Sequence, residues 1–256
     1  SLLLASGHMG ELATILDDAT HPAMMRVVPA STWQSLIQPD AIGIFGQIAY
    51  DGAFYDRHPP LYYWLLHIWM TFFDANIASG VLLNSVLEAL TAIALYRFGR
   101  RFLAQPAALV VVAVWLLTPI ALHASIAVRQ YTLLGLTSVL FAHALYVAFF
   151  DPTERPAHWR DRVLFVGATA ALLLSHYYAL LLVGAGVLAM ATRWLGNIRQ
   201  MSSLLGHLAL ALLIVLLLHS MYFSPFLRES TSFAVTYPFA LEQILIYSLG
   251  FVLDAP

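Results

Sequence analysis

Beyond residue 78 the chain alternates long apolar runs with short polar stretches rich in arginine. A helix rises 1.5 Å per residue, so crossing a hydrocarbon layer of about 30 Å takes roughly 20 apolar residues. Runs close to that length cover 79–97, 105–123, 131–150 and 203–222, and each predicts a membrane-spanning helix. The uncharged run "VLFVGATAALLLSHYYALLLVGAGVLAMAT", residues 163–192, fits either one long tilted helix or two short ones. Upstream, 1–58 reads as a polar loop with short helices, and "PPLYYWLLHIWMTFF" opens an apolar helix over 59–75 that is too short to span. At the other end a polar loop at 223–240 leads into a further apolar segment at 241–256.

Arginine placement decides between the alternatives, because cationic side chains concentrate in short cytoplasmic loops. Arg97, Arg100 and Arg101 form one cluster, Arg155, Arg160 and Arg162 a second, and Arg193 with Arg199 a third. If all three are cytoplasmic, each stretch between them crosses an even number of times. Residues 105–150 then turn outside near "HASIAVRQY", and 163–192 becomes two helices, 163–175 and 178–192, turning outside near "SHYY". Helices of about 14 residues reach only roughly 20 Å. They are expected to meet below the outer surface and leave a polar funnel, which is tolerable where it lines a cavity. The same parity puts the start of 79–97 outside. Residues 1–58 carry six acidic residues (Glu11, Asp17, Asp18, Asp40, Asp51, Asp56) against Arg26 and Arg57 and also fit outside, so helix 59–75 is expected to be interfacial or re-entrant. Pro59 and Pro60 suit a first helical turn. Tyr62, Tyr63, Trp64 and Trp69 suit the headgroup level. The expected fold is all-α, a polytopic bundle of six transmembrane helices with an extracytoplasmic first loop and an interfacial helix.

Composition agrees with this and narrows the chemistry. A chain that is 61% hydrophobic and 10% charged, with a mean hydropathy of +0.78, is not a water-soluble globular domain. The absence of Cys removes disulfides, thiolate metal sites and thioester chemistry, leaving carboxylates, His, Arg and hydroxyls. "SLLLASGHMGELATILDD" lacks the basic start of a signal peptide, and the last apolar segment stops short of a crossing; the chain is expected to be part of a longer protein.

Under this topology the outer face collects Asp56, Arg57 and His58; His123, Arg129 and Tyr131; His176, Tyr177 and Tyr178; and Arg228 with Glu229. Eight of the twelve arginines belong to the cytoplasmic clusters, which leaves Arg26, Arg57, Arg129 and Arg228 needing another reason. A guanidinium is a planar fork of donors that stays charged, well suited to a phosphate. At a membrane interface the natural anion is a lipid phosphate.

The segments "DRHPPLYYWLLHIW", "SIAVRQYTLLGL", "SHYYALLLVGAGVLA" and "YFSPFL" resemble, in order, the signatures of GT-C membrane glycosyltransferases, in particular the bacterial branch similar to protein O-mannosyltransferases and to the lipid A aminoarabinose transferase. The resemblance implies transfer of a sugar from a polyprenyl-phosphate carrier to a lipid, glycan or protein acceptor on the extracytoplasmic face of the bacterial inner membrane. It implies a carboxylate base in the first outer loop, with basic and aromatic side chains holding the leaving phosphate. Carried onto this sequence, it gives Asp56 a role in acceptor positioning or as an accessory acid, Arg57 and His58 contact with donor phosphate or sugar, Arg129 the phosphate clamp with Tyr131 beside it, and His176 and Tyr177 the lining of the donor groove. The family's main catalytic carboxylate is expected upstream of Ser1. Where some relatives carry a second acidic motif, this chain has Val128-Arg129-Gln130-Tyr131, which weakens the case for a divalent metal. No cofactor and no nucleic acid is expected.

Blander readings exist for each residue. "DRHPPLYY" also suits a polar loop before a proline-initiated interfacial helix. Arg129 also suits snorkelling to headgroups, and His176-Tyr177-Tyr178 an aromatic belt. Glu88 falls at the middle of 79–97, where a charge is costly and often functional. Asn84 lies one turn earlier on the same face. A proton-coupled secondary transporter centred on Glu88 is the rival from another class, and a neutral Glu88 bonded to Asn84 or to a neighbouring helix is its structural counterpart. A non-catalytic membrane scaffold is a third reading.

Overall fold

The computed structural model describes residues 2–8, 30–38, 44–53, 58–150, 158–194 and 197–220, and all regular structure among them is helical. Three short helices, α1 (Leu2–Ser6), α2 (Ala30–Ile37) and α3 (Phe45–Asp51), belong to the first polar segment, and α4 (Leu61–Phe72) follows the two prolines. The bundle comprises α5 (Ile77–Gly99), α6 (Gln105–Leu116), α7 (Pro119–Ile126), α8 (Tyr131–Leu145), α9 (Trp159–Ser175), α10 (Ala179–Trp194) and α11 (Ile198–Leu218), with a π-helical turn over Tyr146–Phe150 extending α8. The segments 223–240 and 241–256 lie outside the described residues, as do Arg26, Arg155, Arg228 and Glu229.

Local chemistry sets the helix boundaries. The Asn76 side chain accepts from the Ser79 N–H at 2.8 Å and starts α5. The stretch 105–123, expected as one helix, is two, bent by 57° between α6 and α7. Pro119 has no N–H for the ladder and its ring crowds the preceding turn, and Thr118 caps the new start by accepting from the Ala121 N–H at 3.2 Å. A box between His158 and Asp161 begins α9 four residues before the expected 163. At 17 and 16 residues, α9 and α10 each reach roughly 25 Å, more than the uncharged run alone suggests.

By length and apolarity α5, α8 with its π turn, and α11 are each able to cross a membrane, and α6 with α7 makes a fourth span if the bent pair counts as one. Burial on α5 is periodic although the helix is apolar nearly all round. Gly80, Asn84, Leu87, Thr91 and Ala94 face the protein, while Leu82, Val86, Leu90 and Ile93 are exposed. Such an exposed stripe is disfavoured in water and costs nothing against lipid.

Neighbour relations fix the direction of each helix. Asn84 meets Thr132 and Phe98 meets His143, so α5 and α8 run parallel. Ala108 lies beside Gly99, and Ala124 reaches Asn84, so α6 and α7 return antiparallel to α5. Phe165 packs on Phe149 while Ser175 bonds Thr137, which makes α9 antiparallel to α8. Gly186 abuts Phe141 and Arg193 sits over Phe150, so α10 runs with α8, and α11 returns alongside α9. One end of the bundle therefore holds Asn76, the 127–130 turn and His176 to Tyr178. The opposite end holds Arg97, Arg100, Arg101, Arg160, Arg162, Arg193 and Arg199.

Candidate functional site

The end without the arginine clusters gathers side chains from three separate segments. His58 and His176 pack edge to face with ring centroids 5.4 Å apart, Tyr131 stacks on His176 at 6.2 Å, and Tyr178 stacks on it at 4.9 Å. The backbone explains why they meet. His58 donates its N–H to the Gly52 carbonyl at 3.0 Å and leads through Pro59 and Pro60 into α4, whose first carbonyl partner is Pro60. Neither proline has an N–H to leave unpaired. His176 occupies the break between α9 and α10, in extended conformation, where the last residue of α9 is tied to α8 by the Thr137 to Ser175 hydroxyl contact at 3.3 Å.

His176 has a defined protonation state. Burial pushes its pKa down to about 4, with the charge of His58 adding to the shift, so the ring is neutral at ordinary pH. The Tyr178 backbone N–H donates to its Nδ1 at 3.1 Å. A neutral ring that accepts at Nδ1 carries its proton on Nε2. His176 thus presents one fixed N–H donor. Tyr177 beside it is buried. His219, which ends α11, is also buried, and burial alone pushes its pKa down to about 4.

The turn between α7 and α8 is held against α4 and α5 by Asn84. This side chain is fully buried, and both its polar atoms are saturated. Its Oδ1 accepts from the Tyr62 hydroxyl at 2.9 Å and the Thr132 hydroxyl at 3.1 Å, and its Nδ2 donates to the carbonyls of Ala124, at 3.2 Å, and Ala127. Burial pushes the Tyr62 phenol pKa upward, which keeps that hydroxyl a donor. The Tyr63 hydroxyl donates to Gln130 Oε1 at 3.4 Å. Gly80 permits the close approach, since a Cβ there would lie 2.5 Å from a Val128 methyl. Arg129 is exposed on this turn, between the buried Gln130 and the half-buried Val128, and one residue further Tyr131 reaches His176.

The structure brings together His58, Tyr131, His176 and Tyr178, with Arg129 on the same turn as Tyr131. Asp56 and Arg57 lie outside the described residues. One feature departs from the sequence reading. Tyr62 and Tyr63 are fully buried and bonded to Asn84 and Gln130, turned into the protein and away from lipid, and the Trp64 and Trp69 indoles donate to the Phe45 and Ser79 carbonyls. Of the two partners the sequence leaves open for Glu88, Asn84 or a neighbouring helix, the structure has the neighbouring helix. Glu88 Oε1 accepts from the Trp115 indole on α6 at 2.6 Å. Among the described residues no group of three or more His, Asp or Glu side chains is arranged to hold a metal ion.

Residues 57–222 match a family model described as dolichyl-phosphate-mannose-protein mannosyltransferase. No curated protein and no solved structure matches the chain. The matched stretch begins beside His58 and runs through every helix of the bundle, including all three segments that meet at His176. This chain belongs to the dolichyl-phosphate-mannose-protein mannosyltransferase family and is a multi-pass membrane glycosyltransferase of the GT-C type.

Proposed function

We propose that the protein transfers a sugar from a polyprenyl-phosphate carrier to a lipid, glycan or protein acceptor, and that the transfer site is the bundle end where His58, Tyr131, His176 and Tyr178 meet. The observation that supports this reading most is the convergence of three chain segments on His176, opposite the arginine clusters. With those clusters in the cytoplasm, the site opens on the extracytoplasmic side of a bacterial inner membrane.

In this reading the acceptor hydroxyl attacks the anomeric carbon, the bond from that carbon to the phosphate oxygen breaks, and the acceptor proton passes to a carboxylate. The principal base is a carboxylate of the first outer loop, with Asp56 in the accessory role. The leaving group is the polyprenyl phosphate, whose charge rises as the bond breaks. Arg129 meets that charge with a fork that stays protonated, and Arg57 and His58 contact the same phosphate or its sugar. His176 contributes its Nε2–H, and Tyr177 and Tyr131 line the groove.

Sugar transfer from a polyprenyl-phosphate donor in membranes that contain the full-length protein tests the reading. Arg129→Ala is expected to abolish transfer while the protein is still made and inserted. Wild-type transfer by that variant would remove the phosphate clamp.

A further inference from the structure

A groove between α9 and α11 lies apart from the side chains assigned to transfer. Its space of about 790 Å³ is walled by Val166, Ala170 and Leu174 on α9 and by Leu210, Ile214 and Leu218 on α11, with Leu61 of α4 at one end. These positions recur every three or four residues, so one face of each helix lines it. Leu174 puts one end of the groove near His176, and Trp159 and Arg162 put the other among the arginines. From Trp159 to Leu174 it follows α9 for roughly 22 Å. That exceeds the depth of one leaflet's hydrocarbon, about 15 Å or half of the apolar layer. Gly167, Leu210 and Leu218 are exposed along the groove, so it opens sideways, toward lipid.

The arginine end of the groove carries its charge. Beside the Trp159 indole, Arg162 and His207 bring polar groups to the lining. His207 Nδ1 is engaged with the Ser203 carbonyl at 2.6 Å. The Asp161 carboxylate, next to Arg162 in sequence, accepts from the His158 backbone N–H at 3.0 Å. Among the described residues the Arg162 Nε–H is buried and has no hydrogen-bond partner. A buried donor left without an acceptor carries a desolvation cost, which an anion seated beside it removes. Trp159 is exposed at the same end, an amphipathic ring suited to headgroup depth. A ligand complementary to the groove therefore has a long apolar chain and an anionic head at the level of Arg162 and Trp159.

We propose that this groove binds an anionic phospholipid from the leaflet at the arginine end, with an acyl chain along α9 and α11 and the headgroup phosphate at Arg162. Basic pockets between membrane helices select such headgroups. A guanidinium offers the phosphate a planar fork of donors that stays charged. A zwitterionic lipid has the same chains but a phosphate screened by its own cation, so charge is the discriminating property. The chain has room as well: a Cβ at Gly167 would meet nothing beyond its own turn of helix within 4 Å, so a larger residue there fills the groove without displacing protein. The inference uses no side chain assigned to transfer and stands or falls apart from that reading.

The test uses the full-length protein in nanodiscs holding phosphatidylglycerol and phosphatidylcholine in equal amounts, with the lipid retained on release counted by native mass spectrometry. Phosphatidylglycerol is expected to be retained over phosphatidylcholine by roughly fivefold, the factor that one arginine supplies at an anionic surface. R162Q should lose that preference and still retain lipid, whereas R199Q, exposed at the same end but off the groove, should keep it. G167L should retain less of both lipids. G206L, a glycine on α11 with equally open surroundings but outside the groove, should match the wild type. Glycerol phosphate, which has the head without the chains, should not displace the lipid. Equal retention of the two lipids by the wild type would overturn the proposal, as would undiminished preference in R162Q, equal loss in R162Q and R199Q, or full retention in G167L. Displacement by glycerol phosphate would also do so, by making the site one for free phosphate.

Discussion

The two ends of the bundle solve the problem of polar groups at a membrane in opposite ways. At the arginine end the charges are exposed and rest on aromatic faces, with Arg101 over Tyr146, Arg160 over Trp159 and Arg193 over Phe150. At the His176 end the polar groups are buried and mutually bonded, and most are neutral: Asn84 joins Tyr62, Thr132, Ala124 and Ala127, and Gln130 receives Tyr63. Buried polar groups must be satisfied almost completely, so their geometry is tightly specified. The end proposed for transfer needs that specification if it is to position a reacting phosphate. An end that sits among headgroups does not.

Asn84 is the place to break this contrast. Asn84→Ala removes all four hydrogen bonds at once and frees the turn that carries Arg129 and Tyr131, without touching a residue at the arginine end. A shift of about 1 Å in such a supporting element costs on the order of a hundredfold in rate. Transfer assays should show a loss of that size, and wild-type transfer by the variant would remove Asn84 from the support of the site.

His176→Gln is expected to have a smaller effect, roughly tenfold in transfer, since glutamine keeps an N–H donor but loses the ring that packs on Tyr131 and Tyr178. The same variant sharpens the contrast through pH. Folded His176 has a pKa near 4, below the 6.5 of an unfolded imidazole, so the unfolded chain binds the extra proton between those values. Its contribution to stability is full above about pH 6.5 and declines as the pH falls toward 4. Thermal unfolding of the purified protein should follow that slope, and His176→Gln should flatten it, leaving the similar contribution of His219. An unchanged slope in the variant would assign the whole effect elsewhere. Glu88, midway along α5, belongs to neither end. Glu88→Gln keeps an oxygen that accepts from the Trp115 indole, so transfer is expected to change less than twofold; a large loss would return that carboxyl to the mechanism.

Much of this arrangement was legible from one-dimensional pattern. Arginine parity predicts that "RQY" and "SHYY" face the same way, and Tyr131 and His176 do stack. The end of α6 at Leu116 was legible in principle from Thr118-Pro119, a cap followed by a residue with no N–H, though the apolar run conceals it. What hydropathy does not reveal is inward rotation. "LYYW" looks like a headgroup belt because Tyr and Trp are amphipathic, and only the presence of Asn84 and Gln130 opposite turns the Tyr62 and Tyr63 hydroxyls inward. Asn84 itself shares a helical face with Glu88, which suggests a pair within α5. In the fold its amide reaches across to α7 and α8, partners 40 or more residues away in sequence.

The central claim, that these segments form one phosphate-binding site, is tested most directly by binding. The affinity of the full-length protein for polyprenyl phosphate, compared with the same alcohol lacking the phosphate, isolates the anion from the tail. The account predicts a clear preference for the phosphate in the wild type, absent in Arg129→Ala and reduced in His58→Ala and His176→Gln. Equal affinity of the wild type for phosphate and alcohol, or an undiminished preference in all three variants, would contradict it.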